Sequence, residues 1–483
     1  MKKLSIFCLL GIGLLAARPA LPPAPIKGLK SIKAQALREL QAQYTDYKQV
    51  ALRIWGFAEV GYKETQSSAL LQKTLRDNGF EVKAGVADIP TAFVATYGSG
   101  QPVIGVLAEF DALPGLSQQA VAEKKPVAGL DAGHGCGHNL FGTASVAAGI
   151  EIKKLLQEGK LRGTIKVYGT PAEEGGSGKV YMVRAGLFNG VDAVVHWHPG
   201  NENRAMMNNY LANTSAKFRF HGVASHAAMS PERGRSALDA VEAMDHMVNM
   251  MREHVPQETR IHYVITNGGK APNVVPDYAE VYYYVRHPNR ENVKDIFARV
   301  VKAAEGAALG TGTTMDYELI GGTHDLLLNE TLARALQANL EQVGGVRYSP
   351  EELAFGKQIQ ASLGFAVPAV ETAGGVSPFT TRDGGGSTDV GDVSYVVPTV
   401  GLEAATWIPG TPAHSWQAVA CSGLEVGTKG MMVAAKTMTL TAIDLFGDPA
   451  LLAKAKTEFK HDVGTYVYKP LLGDRKPALN YRD

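Results

Sequence analysis

The sequence predicts an α/β fold interrupted by a compact α+β module, and two observations lead there. Short apolar runs at residues 103–108, 164–168 and 193–195 alternate with helical patterns, as in a buried parallel sheet covered by helices. After Tyr210 the pattern changes to a β-α-β-β-α-β order, that of a ferredoxin-like module. Motifs rich in carboxylate and imidazole then resume at Asp389 and His414. The middle module therefore reads as an insertion into a larger domain. The expected organisation is a segment at 1–20, a discontinuous main domain at 28–211 and 326–470, and the inserted module at 212–325.

Met1-Lys2-Lys3 followed by the apolar run 4–17 reads as an export signal, with cleavage near Ala17 or Ala20. An uncleaved anchor is the alternative. Residues 31–58 are mostly helical in pattern, and 67–78 form a second helix ending at Gly79. The strand 103–108 runs into Glu109-Phe110-Asp111. Residues 142–156 are helical, with Asn139 placed to cap that helix. The strands 164–168 and 193–195 each run directly into another polar motif. In the inserted module, Ala216, Phe218 and Phe220 alternate with Lys217 and Arg219 on a strand. Helix 238–254, strands 261–266 and 281–285, helix 293–309 and strand 313–319 follow.

With 483 residues, the chain is long enough for more than one domain. Its 48 basic and 47 acidic residues leave a net charge of +1, which gives no electrostatic footprint for nucleic acid. After the leader only Cys136 and Cys421 remain. Beyond the leader no stretch has the length and apolarity of a membrane helix.

Four motifs carry chemistry. Gly133-His134-Gly135-Cys136-Gly137-His138-Asn139 places a thiol and an imidazole two residues apart in a glycine-rich turn, where they can converge. Glu173-Glu174 are adjacent, so their side chains diverge: one carboxylate can bind a cation while the other accepts a proton. His196 and His198 share a face if their strand continues that far. His414 sits in a loop between Pro412 and Trp416. Gly175-Gly176-Ser177-Gly178-Lys179 is not a phosphate loop, because Val180 holds the Ser/Thr position and the first glycine is misplaced. Thiolate, imidazole and carboxylate together suit zinc- or manganese-type ions, so the set points to metal-assisted hydrolysis.

These residues resemble the M20 family of metallopeptidases and amidohydrolases, and within it the branch acting on p-aminobenzoyl-glutamate. The resemblance also rests on residues 109–117, 169–175, 387–394 and 410–417, which occur in the family's order. It implies a zinc-peptidase-like catalytic domain holding two divalent ions, Zn or Mn, with the inserted module as lid and dimerisation domain. Cys136, His138, Glu174, His198 and His414 are the implied ligands. Relatives with His-x-x-Pro select His196 instead of His198; His198 is preferred, with His196 beside it. Glu173 is the implied general base and Asp111 orients a ligand. Glu109 stands where other branches of the family place a metal-binding histidine. In the lid, His226 resembles a histidine that crosses the dimer to polarise the scissile carbonyl. Asn273 and Arg286 resemble substrate-recognition residues, with Arg286 holding a carboxylate. The implied reaction cleaves an amide between an acyl, aroyl or aminoacyl group and an amino acid. A dipeptidase is the nearby alternative, and a non-catalytic metal-dependent partner subunit the distant one. The expected partners are a small amide and either a second copy or a homologous subunit, in a periplasmic or secreted setting.

Overall fold

The computed structural model describes residues 25–482; the leader read at 1–20 lies outside them. The main domain begins with helices α1 (Leu29–Ala42), α2 (Tyr44–Phe57) and α3 (Thr65–Asp77). Strands β1 (Glu81–Ala84), β2 (Phe93–Ser99) and β3 (Val103–Ala108) follow, then the short pair β4 (Leu113–Pro114) and β5 (Ala132–Gly133). Next come α4 (His138–Gln157), β6 (Gly163–Gly169), α5 (Gly178–Arg184), β7 (Ala193–Gly200), β8 (Arg204–Ala205) and β9 (Asn208–Asn209). The inserted module comprises β10 (Ala212–His221), α6 (Ala237–Met251), β11 (Arg260–Asn267), β12 (Tyr278–His287), α7 (Arg290–Thr311) and β13 (Thr314–Thr323). The main domain resumes with α8 (Glu330–Val343), α9 (Pro350–Ala361), β14 (Arg382–Asp383), α10 (Val390–Ser394) and β15 (Thr399–Ala405). It closes with α11 (Trp416–Ser422), α12 (Glu425–Gly447) and α13 (Pro449–Val463).

The main sheet has the order β1-β2-β6-β3-β7-β15-β8, with β6, β3, β7 and β15 parallel at its centre. Alternate residues face two helical layers, as the pleat requires. Val106, Val167 and Val195 pack with Leu140 of α4 and Met438 of α12 on one side. Leu107, Tyr168 and Val194 pack with Met182 of α5 and Val393 of α10 on the other. Both faces are therefore covered, which is why the central strands read as continuous apolar runs.

The expected helix 31–58 is two helices, broken at Gln43. Ile32, Ala36 and Leu40 bury one stripe and Tyr47, Ala51 and Ile54 another, so each half keeps its own apolar face. Helix α4 starts at His138, four residues earlier than expected, after Gly137 in a left-handed conformation (φ 70°). Asn139 is not its cap: it lies inside the first turn, where Nδ2 donates to the carbonyls of Ala51 and Ser422. Strand β7 is longer than its apolar run. Pairing with β15 carries it through Trp197, which faces the core and donates to the Phe141 carbonyl, so His196 and His198 share the opposite face.

In the inserted module the strand order β11-β12-β10-β13 is antiparallel throughout, the ferredoxin-like arrangement, with α6 and α7 against one face. Ala216, Phe218 and Phe220 point into that core, as their alternation requires. On the open face Arg219 bridges Glu280 and Glu318 at 3.0 and 2.6 Å. Residues 464–482, after α13, return across both domains: Tyr468 donates to Asp392, and Arg475 reaches Glu318. No helix among the described residues is long and apolar enough to cross a membrane. Cys136 and Cys421 are both free and buried.

Candidate active site

The site lies beyond the carboxyl ends of β3, β6 and β7, where an open parallel sheet exposes its ligand crevice. Each strand delivers one motif. Glu109 and Asp111 follow β3, and both are about 1% exposed. Glu173 and Glu174 follow β6 through a sharp turn at Ala172, whose φ is 57°. Buried Glu64 holds that turn: its Oε1 accepts from Ala172 N at 2.8 Å. The glycine turn is shaped by close approach. A Cβ on Gly137 would lie 2.7 Å from Pro199 Cβ, so only glycine lets this turn meet the end of β7. His414 is reached by a left-handed backbone (φ 56°), and its N–H donates to the Gly135 carbonyl at 3.0 Å.

These local features bring the donors together. The ligand atoms of Cys136, His138 and His198 all lie within 4.8 Å of one another, as do those of Cys136, Glu174 and His414. Cys136 thus stands in both groups. A third group joins Glu109, His138 and Glu173. Cys136 Sγ is 3.4 Å from His198 Nε2, and His414 Nε2 is 3.2 Å from Glu174 Oε1. His198 Nδ1 donates to the Pro199 carbonyl at 2.7 Å, which leaves Nε2 as the free lone pair facing Cys136. Asp111 ties two donors: Oδ1 accepts from His138 Nδ1, and Oδ2 from Glu174 N, both at 2.9 Å.

His196 lies beside this cluster rather than in it. Its ring lies over Gly401, the residue paired with it on β15, so closely that a Cβ there would be 2.4 Å from Nε2. Burial pushes His196 down to about 3 and His198 down to about 4, so both rings are neutral, the form in which an imidazole binds a metal.

The acids are crowded. Burial raises Glu173 well above the usual carboxylate range, and Glu109, Glu174 and Asp389 push the same way, while Lys179 opposes them. Glu109 is raised to about 6, mainly by burial, against Lys179 and His138. Lys179 is fully buried, with its ammonium 2.6 Å from both Glu109 and Asp389. Burial and Glu174 push the Cys136 thiol well up. Glu109 Oε2, His138 Nε2 and Glu174 Oε1 are buried without a hydrogen-bond partner. The Glu109 and His138 atoms are 3.1 Å apart yet out of line for a hydrogen bond. Buried acids and unpartnered donors in this number are costly unless cations complete them. The sulfur, nitrogen and oxygen atoms present suit a pair of divalent ions.

A cavity of about 620 Å³ opens over the cluster and is lined by Glu173, His198 and His414 below and by Tyr284, Arg286 and Arg482 above. Arg286 is not in a surface ion pair. It stacks 5.2 Å over Tyr284, and its Nε has no partner. His226 and Asn273 lie away from this cavity, exposed together on the lid, where Ala227 N donates to the Asn273 carbonyl. His226 Nδ1 accepts from Ala228 and Met229 N–H at 3.2 Å, leaving Nε2–H as an outward donor.

Glu64, Lys179, Asp389, Tyr481 and Arg482 carry no role in the sequence reading. Lys179 and Asp389 lie within quoted motifs, but nothing local reveals that they pair. Glu64 and Arg482 give no local signal.

A cation-binding donor set beside a carboxylate, at the strand ends of an α/β sheet with a ferredoxin-like lid, defines a metal-dependent hydrolase. Residues 213–311 match the peptidase dimerisation domain of the M20 peptidases. The chain is 42% identical over 456 residues to a subunit of the p-aminobenzoyl-glutamate hydrolase of Escherichia coli (strain K12), covering 89% of this chain and 95% of that one. It is 29% identical over 472 residues to the Xaa-Arg dipeptidase of Mus musculus, covering 93% and 97%. A Bacillus subtilis structure described as a dinuclear metal binding peptidase from the M20 family superposes with a TM-score of 0.56 at 17% identity, covering 84% of this chain and 99% of that one. The chain belongs to the M20 family of metallopeptidases and amidohydrolases, and it is a hydrolase of amide bonds.

Proposed function

We propose that this enzyme releases an amino acid from its N-aroyl or N-acyl amide, with p-aminobenzoyl-glutamate as the model substrate. The carrying observation is the pair of ligand groups that share Cys136 directly beneath a cavity containing Glu173. The 42% identical relative bears the name of that activity.

Cys136, His138, Glu174, His198 and His414 would hold the two ions. Bound there, the ions supply Lewis acidity and ease ionisation of a water. Zinc suits the sulfur donor better than manganese. Glu173 takes the proton of the attacking water and passes it to the leaving amine. Asp111 fixes the His138 ring and the Glu174 backbone, so both ligands are held before substrate arrives. Arg286 holds the carboxylate of the amino acid through paired hydrogen bonds.

His226 is exposed and does not line its own chain's cavity, so its Nε2–H would serve the developing oxyanion of a second subunit, with Asn273 beside it. A second copy of this chain is the simpler partner, and a homologous subunit the alternative. The leader read at 1–20 supports a periplasmic or secreted setting as part of this proposal.

A dipeptidase releasing arginine, after the mouse relative's name, is the second reading. The cavity disfavours it: Glu109 and Asp389 are paired with Lys179, and the basic side chains of the lining are two guanidiniums, which repel an arginine side chain. The test is a panel of p-aminobenzoyl-glutamate, N-acyl amino acids and Xaa-Arg dipeptides, each with zinc and with manganese. Turnover highest on the aroyl-glutamate supports the proposal. Turnover confined to Xaa-Arg dipeptides overturns it.

A further inference from the structure

We infer that Arg482 is a specificity-determining residue: it gives the cavity a second guanidinium, which selects amino acids bearing a second carboxylate. The inference rests on the amidohydrolase reading and extends it from the reaction to the side chain of the released amino acid.

The segment after α13 is anchored along its path. Tyr466 bonds His324 at 2.8 Å, Tyr468 donates to Asp392 at 2.8 Å, and Leu472 is 1% exposed. It ends against the site. The Tyr481 ring stands edge-on to Tyr62 at 5.5 Å, and its hydroxyl donates to the Glu174 carbonyl at 3.1 Å. Arg482 lies over the Tyr481 ring at 4.7 Å and donates from Nη2 to the same carbonyl.

Arg482 lines the cavity. Its Nε is buried without a partner, although the charges of Asp111 and Glu174 act on the guanidinium. Its position relative to Arg286 follows from Gly175. A Cβ built there would be 3.7 Å from Tyr481, 3.9 Å from Arg482 Nη2 and 3.9 Å from Tyr284 Oη. Arg286 lies over that same Tyr284 ring. The two guanidiniums therefore stand on one wall of the cavity, Arg286 over Tyr284 and Arg482 over Tyr481, each with an unused Nε–H.

Among the described residues lining the cavity, Arg286 and Arg482 are the two with Arg or Lys side chains. Of the acids there, Glu109, Glu173 and Glu174 stand in the donor groups, and Asp389 is paired with Lys179. An α-carboxylate needs one guanidinium, so the second is left facing whatever the side chain presents. A glutamate-type carboxylate satisfies it, and a neutral side chain leaves it unpaired. The rival role is structural, with Arg482 holding the Glu174 carbonyl and nothing more.

Substrate dependence separates the two roles. The full-length, metal-loaded enzyme, Arg482→Gln and Arg482→Lys are assayed on p-aminobenzoyl-glutamate and on p-aminobenzoyl-glutamine, its neutral isostere, with metal content measured for each. Wild type should favour the glutamate substrate. In Arg482→Gln the glutamate-over-glutamine ratio of kcat/KM should fall by roughly 10- to 100-fold, through KM, the size of a charge-assisted hydrogen bond. Arg482→Lys should recover part of it. An undiminished ratio, or equal losses on both substrates with altered metal content, would overturn the inference while leaving the amidohydrolase reading intact. Absence of wild-type turnover on both substrates would overturn the aroyl-glutamate reading and this inference with it.

Discussion

Cys136 Sγ lies 3.4 Å from His198 Nε2, and the same thiol stands with Glu174 and His414, so one side chain is common to two groups of potential metal donors. Removing it should therefore cost more than removing a side chain that stands in one group only, such as His414. Cys136→Ala is expected to lose both ions, whereas His414→Ala should keep about one equivalent. Metal analysis after dialysis reads this directly. Equal stoichiometry in the two variants would show that the thiol is not shared.

His226 is exposed on its own lid and lies away from its own chain's cavity. His226→Ala should lower kcat by roughly 10²–10³. If the enzyme is a homodimer, mixing inactive His226→Ala with inactive Glu173→Ala restores about a quarter of the wild-type rate, because half of randomly mixed dimers carry one complete site. No recovery after verified subunit exchange would rule out histidine donation between copies.

Gly401 and His196 are partners across β15 and β7, and a Cβ on Gly401 would sit 2.4 Å from the His196 ring. Gly401→Ala should force that ring toward the cavity and destabilise the fold by about 1–3 kcal/mol, as overpacking does. Urea unfolding and KM measure the two effects. A variant with wild-type stability and KM would show that the contact is slack.

Glu151 is buried on α4, far from the ligand set, and burial raises its carboxyl to about 7, with Lys154 opposing. The folded state thus binds a proton that the unfolded chain, with its ordinary carboxylate pKa, releases sooner. That contribution to stability is complete in acid and is lost as pH rises through about 7. Glu151→Gln removes the dependence. Relative to wild type its Tm should rise by about 1–3 °C between pH 5 and pH 8. Parallel Tm profiles would contradict the assignment.

Much of this site was legible because its signals are local. The runs before Glu109, Glu173 and His196 are apolar, and the glycines around Cys136 mark a turn. The extension of β7 through Trp197 was hidden because polar histidines resemble a strand's end; pairing with β15 decides it. The break at Gln43 was hidden because no Gly or Pro marks it. The Lys179–Asp389 and Arg482–Glu174 contacts span 210 and 308 residues, so no local window contains them. Lys179 even sits in a stretch resembling a phosphate loop, yet its partners are two buried carboxylates.

The most direct measurement is release of p-aminobenzoate by metal-stripped and by reconstituted protein, with Glu173→Ala alongside. Activity is expected only after reconstitution. Glu173→Ala should bind both ions yet turn over at least about 10²-fold more slowly. Equal rates with and without metal, or an active Glu173→Ala, would contradict this mechanism.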